Sequence, residues 1–345
     1  MTLWRDDPDR AAEALIDVGD LGLGTGLRVL LVDTSASLPA ALAAVGCEIA
    51  TWDRRLAHGR AARIAPPDGP FDVVLFRLCK SKDELEMRAH QAFDTLAKGG
   101  RLIVYGGNDE GIKTAGKRIE ALGTVSTLVA RGHGRMISIT RAAIGDTLKP
   151  DPAAWQRSVP LALAGKPARP WVTYPGLFAD GRLDPASEFL LEHVSEIPNA
   201  ARILDYGCGT GVIARALLDR NPTIQVTATD SDAIALLATS ENVPEARTEL
   251  SDRLKGSGRF EMIVSNPPIH AGFREDYTAL YQLVEDAPLH ILPKGRLVIV
   301  VQKRIPLEER LKAKFADVTI SADDGPFRVW SASRAIVVPD RRRVT

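Results

Sequence analysis

At 345 residues the chain is long for a single core and favours two domains. Its 45% hydrophobic and 26% charged content is that of a soluble globular protein and argues against disorder. With 44 basic residues against 44 acidic ones it has no formal charge, so no global field draws it to nucleic acid or an anionic membrane and any such contact has to be local.

The opening MTLWRDDPDR is charged and acidic, unlike a signal peptide, and no apolar run approaches the roughly 18 residues of a membrane span. Cys47, Cys79 and Cys208 stand far apart without C-x-x-C spacing, which argues against a disulfide framework and a zinc site. A cytoplasmic protein with no membrane partner and no metal is expected.

In chain order, the first half offers short apolar runs in LRVLLVD (27–33), CEIATWD (47–53) and FDVVLF (71–76), then a helical stretch and AKGGRLIVYGG (97–107). The second half repeats the series with ARILDYG (201–207), IQVTATD (224–230), FEMIVSNPP (260–268), a helical stretch and LPKGRLVIVVQ (292–302). Both copies read strand, helix, Lys-Gly turn, strand. Continuous apolar runs alternating with helical periodicity mark buried parallel strands in βαβ units. The expected class is α/β, two tandem Rossmann-like domains over 1–145 and 176–345. The stretch 146–175, proline-rich from Pro150 to Pro175 and without a clean period, is expected to link them. The final DRRRVT reads as a solvated end.

The chemistry-bearing residues lie in the second copy. After the apolar run come Asp205 and then Gly207, Gly209 and Gly211 on alternate positions, followed by the helix-like VIARALLDR. Glycines at a strand-to-helix turn let a ligand approach the backbone, and the helix start offers free N–H groups. A G-x-G-x-x-G dinucleotide fingerprint fails, because its sixth position from Gly207 is Val212. The D-x-G-x-G-x-G pattern instead resembles motif I of class I S-adenosylmethionine-dependent methyltransferases. Asp230, ending the next strand, either accepts from the ribose hydroxyls of a nucleoside cofactor or caps the following helix. Asp252, where a third strand ends, is a candidate to face the adenine.

Asn266, Pro267 and Pro268 end a strand on the crevice side of such a sheet, where prolines no longer interrupt its ladder and stiffen the turn instead. The Asn266 side-chain carbonyl and the Pro267 backbone carbonyl make two acceptors for one NH₂ group. Holding a planar amine this way aims its nitrogen lone pair at an electrophilic methyl, with most of the rate coming from positioning and electrostatics. The D/N/S-Pro-Pro-aromatic tetrapeptide is the hallmark of amino-group methyltransferases; here Ile269 replaces the aromatic and offers an apolar face without ring stacking.

Four blocks, YPGLFADGRLDPASEFLLEHV, ILDYGCGTGVIA, RFEMIVSNPPIHAGFREDY and PFRVWSASR, resemble in that order those of the RsmC-type 16S rRNA guanine-N2 methyltransferases. The stretch FRLCKSKDELEMRAHQAFDTLAKGGRLIVYGGNDEGIKTAGKRI resembles the N-terminal domain of the same family, so the resemblance covers nearly the whole chain. It implies S-adenosylmethionine as cofactor and ribosomal RNA as partner, naked or within an assembled small subunit, for a chain acting as a monomer. By position, Asn266 and Pro267 would hold the guanine amine, with Pro268 and Ile269 completing the motif. Asp205, Gly207, Gly209, Gly211, Asp230 and Asp252 would hold the cofactor. Phe178 either closes over the cofactor or base or belongs to the core. His270 and Tyr277 fall where the family places substrate contacts, although a lone histidine after a turn is more often a packing or capping residue.

The same resemblance makes the N-terminal domain a degenerate duplicate. Independently of it, the first copy has VDTSASLPAAL where motif I needs glycines and RLCKSK where Asn-Pro-Pro should stand, while GLGTG (22–26) precedes its strand. Arg77, Lys80, Lys82, Lys113, Lys117, Arg118, Arg131 and Arg135 suit phosphate contacts on RNA, or form a solvated face with the interleaved Asp83, Glu84 and Glu86. Two alternatives remain open at this point: another amino acceptor, adenine N6 or a protein glutamine amide, and a non-catalytic RNA-binding assembly protein.

Overall fold

The computed structural model describes residue 12 and residues 21–336, except 132, 143–146, 164, 195, 196, 255, 257, 272 and 273. The charged N-terminal stretch and the DRRRVT tail lie outside the described residues. The chain divides into two units, Met1–Gln156 and Arg157–Thr345.

In the first unit the strands are β1 (Arg28–Val32), β2 (Glu48–Trp52), β3 (Phe71–Arg77), β4 (Leu96–Gly107), β5 (Ser126–Arg131) and β6 (Gly134–Thr140), with helices α1 (Leu38–Ala44), α2 (Lys82–Asp94) and α3 (Ile112–Ile119). They form one sheet in the order β2-β1-β3-β4-β6-β5. The four strands β1 to β4 pair in parallel, and β6 and β5 add antiparallel. The runs VLLV and VVLF are buried residue by residue, as strands covered on both faces require.

The second unit opens with β7 (Arg157–Leu161) and β8 (Arg169–Thr173), continues through α4 (Pro185–His193), β9 (Arg202–Tyr206), α5 (Val212–Arg220), β10 (Gln225–Asp230), α6 (Ala233–Asn242), β11 (Arg247–Leu250) and β12 (Phe260–Ser265), and after the short pair β13 (His270–Ala271) and β14 (Arg274–Glu275) ends with α7 (Thr278–His290), β15 (Ile291–Gln302), α8 (Glu308–Lys312), β16 (Phe315–Asp324) and β17 (Phe327–Ala335). Its main sheet runs β11-β10-β9-β12-β15-β17-β16. With β11 set aside, this is strand for strand the order of the first sheet. The duplication legible in the sequence is therefore present in the topology, and two tandem Rossmann-like domains are what the chain folds into.

Two local expectations are corrected. The Lys-Gly turns are bulges within continuous strands: pairing jumps from Phe71↔Leu96 to Val73↔Arg101 and, in the second copy, from Phe260↔Ile291 to Met262↔Arg296. The proline-rich stretch expected as a linker contributes structure to the second unit. Its strands β7 and β8 pair as a separate antiparallel hairpin, in which Pro160 and Pro170 face each other. Leu161, Leu163 and Trp171 from this hairpin are buried with Leu190, Ile203, Ala214 and Leu217 in one core. A two-stranded ribbon needs ladder bonds on one edge only, so prolines are tolerated there.

The carboxyl edge of the first sheet is closed by charged side chains. Arg88 of α2 is fully buried, paired with Asp33 just past β1, and stacked 4.4 Å over the Trp52 ring. Glu84 takes Arg54 at 3.3 Å and Arg55 at 2.8 Å. Glu84 is thus an interior counter-ion and leaves the charged face on which the sequence placed it; buried Arg54 lies 3.3 Å from it, and Arg88, already paired with Asp33, lies 3.9 Å from it.

Candidate active site

The parallel register sets β9 and β12 side by side, with Leu204 opposite Ile263 and Asp205 opposite Val264. Their carboxyl ends therefore deliver the glycine loop and Asn-Pro-Pro to the same edge, at the centre of the sheet where open α/β folds bind ligands. Ser265 Oγ donates to the Tyr206 carbonyl at 2.7 Å in the buried floor between them. Above that floor a cleft is lined by Phe178, Asp184, Ser187, Gly207, Gly209 and Asn266 among others.

Each glycine has its own reason. Gly209 has φ +58°, and a Cβ built on it meets nothing within 4 Å, so a side chain there would stand in open space beside the backbone. Gly211, at the start of α5, has φ +85°, and a Cβ would come within 2.9 Å of Val243 Cγ2 and 3.1 Å of Thr239 Cγ2. Gly211 thus lets α5 pack on α6, whereas Gly209 leaves room for a ligand. A Cβ on Gly207 would touch the Pro268 ring at 3.4 Å, so the two motifs are in van der Waals contact.

Asp230 ends β10 with Oδ2 accepting from Gly209 N at 2.9 Å and Oδ1 from Asp232 N at 2.9 Å. It ties the glycine loop to the next strand. The N-cap of α6 is Asp232, which accepts from Ile234 N and Ala235 N, so Asp230 is not the helix cap that the sequence left open. Asp205 is fully buried; its Oδ2 accepts from Ala214 N at 3.0 Å, and its Oδ1 has no partner among the described residues. Burial pushes its carboxyl up to about 7, opposed by the Ala214 hydrogen bond and aided by the charge of Asp230. Asp252 is exposed past β11, and its backbone carbonyl accepts from the Tyr206 hydroxyl at 2.8 Å.

Asn266 is half-buried, Pro267 buried and Pro268 exposed. The Asn266 Nδ2 donates to Asp184 Oδ2 and to Ser187 Oγ, both at 2.9 Å. Ile269 packs with Tyr277 and Tyr281 against the apolar cluster on the α7 side of the sheet, so its side chain is committed to the protein. The Tyr277 hydroxyl accepts from Arg304 Nη1 at 3.0 Å. The side chain of His270 lies outside the described residues; its backbone belongs to β13. Phe178 is 62% exposed at the rim of the cleft, which excludes the core role left open for it.

Residues that the sequence reading did not single out support the loop. Trp171 Nε1 donates to Thr210 Oγ1 at 3.0 Å, and Asn242 Nδ2 donates to the Thr210 carbonyl at 3.0 Å and the Val172 carbonyl at 2.9 Å. The glycine loop is thus braced by the hairpin on one side and α6 on the other. Asp184 and Ser187 also went unnoticed. They lie within the quoted block YPGLFADGRLDPASEFLLEHV, where their own signal was the Asp-Pro-x-Ser pattern of a helix start.

In the first unit, Lys80, Lys82, Lys113 and Lys117 are exposed, and Arg118 reaches Asp83 at 3.7 Å and Glu86 at 3.8 Å. Arg77 is paired with Glu110 at 2.6 Å, Arg135 is half-buried, and the side chain of Arg131 lies outside the described residues.

The model of the family "Methyltransferase small domain" matches residues 169–331, and "Methyltransferase small domain N-terminal" matches residues 30–134. The chain is 32% identical over 273 residues to the ribosomal RNA small subunit methyltransferase C of Ectopseudomonas mendocina, covering 78% of this chain and 81% of the relative. It is 31% identical over 267 residues to the protein of that name from Yersinia pestis, covering 76% and 74%. In fold it is similar to the 16S rRNA N2 G1207 methyltransferase of T. thermophilus, solved with AdoMet and guanosine, with a TM-score of 0.78, 22% identity, and 93% and 92% of the two chains covered.

Proposed function

The chain belongs to the ribosomal RNA small subunit methyltransferase C family, and from that premise we propose that it transfers a methyl group from S-adenosylmethionine to the exocyclic N2 amine of a guanine in 16S ribosomal RNA. The observation that carries this reading is the meeting of the glycine loop and Asn266 in one cleft at the carboxyl edge of β9 and β12.

Three features fit the cofactor: the open space at Gly209, the paired acceptors of Asp230 at the end of the second strand, and the unpartnered Oδ1 of Asp205 beneath the loop. Bound there, S-adenosylmethionine supplies a methyl group on a sulfonium, which needs only a correctly placed nucleophile. Gly207 and Gly209 admit it to the backbone, and the remaining lone pairs of Asp230 take the ribose hydroxyls.

Asn266 Oδ1 and the Pro267 carbonyl accept the two hydrogens of the guanine amine. This fixes the plane of the amine and turns its lone pair out of conjugation with the base, toward the methyl. Attack leaves the nitrogen cationic, and it then sheds one of its own two protons to solvent, so no strongly basic side chain is required. Positioning of this kind supplies several kcal/mol of barrier reduction, about 7 at the low end for well-oriented groups. Tyr277 and Phe178 flank the acceptor side. The guanine has to be unpaired or flipped from its stack to enter.

The exposed lysines Lys80, Lys82 and Lys113 of the first unit take phosphates. With zero net charge the pull on naked RNA is weak, which favours an assembled small subunit that adds shape to the contact. We place the enzyme in the cytoplasm, acting as a monomer.

The test offers labelled S-adenosylmethionine with naked 16S rRNA, small-subunit particles and total protein in separate reactions. Digested RNA should yield N2-methylguanosine from one RNA fraction. Label in N6-methyladenosine or in protein, or none anywhere despite bound S-adenosylmethionine, would move the reading to another acceptor, and failure to bind S-adenosylmethionine would favour the assembly role.

A further inference from the structure

We propose that Asp184 is a positioning residue that decides which end of the Asn266 amide faces the acceptor base, an inference that rests on the reading of Asn266 as the residue holding the amine.

A primary amide is nearly symmetric in shape but not in chemistry. Its oxygen accepts from a nucleobase amine, whereas its NH₂ end, turned the same way, sets donor against donor. Rotation by half a turn about the Cβ–Cγ bond exchanges the two. The environment of Asn266 must therefore choose.

Asp184 Oδ2 and Ser187 Oγ both lie 2.9 Å from Asn266 Nδ2. A carboxylate offers acceptors only. The flipped amide would set Oδ1 against Asp184 Oδ2 at that distance, acceptor against acceptor, and leave the carboxylate without that donor. The partner's chemistry thus fixes the assignment of oxygen and nitrogen. With both hydrogens of Nδ2 engaged, Oδ1 is the end left for the cleft that Asp184, Ser187 and Asn266 line together.

Asp184 is itself held. It is the N-cap of α4, Pro185 follows at the first helical position, and the same Oδ2 accepts from Ser187 N at 3.0 Å. Ser187 is buried. The helix start therefore acts as a rigid bracket on the catalytic asparagine from a distant part of the sequence, and a misplacement of about 1 Å in a positioned group can cost about 10²-fold in rate.

The experiment compares wild type with Asp184→Ser, Ser187→Ala, Asn266→Asp, and the exchange D184N/N266D. Serine at 184 keeps a good N-cap but no longer presents a carboxylate to Asn266. Asp184→Ser should melt near wild type and bind S-adenosylmethionine unchanged, while kcat for N2-methylguanosine formation falls by about 10- to 100-fold with KM for RNA much less affected. Ser187→Ala should show a smaller fall of the same kind.

The exchange separates positioning from mere structure. Asn266→Asp alone sets two carboxylates against each other and should be slow. In D184N/N266D the amide at position 184 turns its NH₂ to the carboxylate at position 266, giving up the cap bond to Ser187 N that the same Asp184 oxygen made, and Ser187 Oγ–H donates to that carboxylate as well. A carboxylate oxygen again faces the cleft, and kcat should rise at least about tenfold over Asn266→Asp. Unchanged kcat in Asp184→Ser, or a double variant no faster than Asn266→Asp, overturns the proposal. If Asp184→Ser fails to fold, the comparison of Asn266→Asp with the double variant decides alone. A wild type that methylates no guanine removes the reading beneath the proposal, and the proposal with it.

Discussion

Asp205 gives the most quantitative prediction. Its carboxyl is fully buried, with one oxygen on Ala214 N and the other unpartnered among the described residues, and burial pushes it up to about 7. The folded chain therefore keeps this proton longer than the unfolded chain does. Between the ordinary carboxylate value near pH 4 and pH 7 the folded state binds more protons, so stability falls as pH rises through that window. The cost grows by about 2.5 kcal/mol between about pH 5 and about pH 8, after which both states are ionised and the curve is flat. Asp205→Asn retains an oxygen for Ala214 N and cannot titrate. Urea unfolding of the two proteins across this range should show the variant gaining on wild type by about that amount as pH rises. Parallel pH profiles would refute the argument. The same reasoning predicts that S-adenosylmethionine, which is cationic, binds wild type more tightly as pH rises through about 7, and that Asp205→Asn loses this dependence in calorimetric titrations.

Gly209→Ala and Gly211→Ala should fail differently. The first adds strain of about 1 to 2 kcal/mol at positive φ without a clash, and loses S-adenosylmethionine affinity in equilibrium dialysis; the second clashes with Val243 and Thr239 and lowers the melting temperature more. Trp171→Ala removes a buried ring and its bond to Thr210. It should cost about 3 to 5 kcal/mol by urea unfolding and weaken cofactor binding in the fraction still folded. Reversing Lys80, Lys82 and Lys113 to glutamate should raise KM for RNA and flatten its salt dependence, with kcat and cofactor affinity unchanged in steady-state assays.

Both strand ends that build the cleft were legible because β9 and β12 are short apolar runs, each closed by a turn-forming motif, alternate glycines in one and Asn-Pro-Pro in the other. The duplicated sheet was legible for the same reason. Trp171 was not, because β7 and β8 pair only with each other, and Pro160 and Pro170 read as linker residues. Asp184 and Ser187 were hidden by distance along the chain: a helix cap is a local signal, while the bond to Asn266 spans about eighty positions. Arg54, Glu84 and Arg88 were read past or placed on the surface, since charged residues are mostly exposed, and only the fold shows that they compensate one another inside. Asp252 was placed by strand counting, which found the carboxyl end of β11.

The central claim is that Asn266 holds the guanine amine while other residues hold the cofactor. Its most direct test is a single-turnover measurement of Asn266→Ala at saturating S-adenosylmethionine, read as N2-methylguanosine formed per second. Loss of one preorganised partner predicts a fall of about 10²- to 10³-fold with cofactor affinity unchanged. Transfer at the wild-type rate would contradict the account.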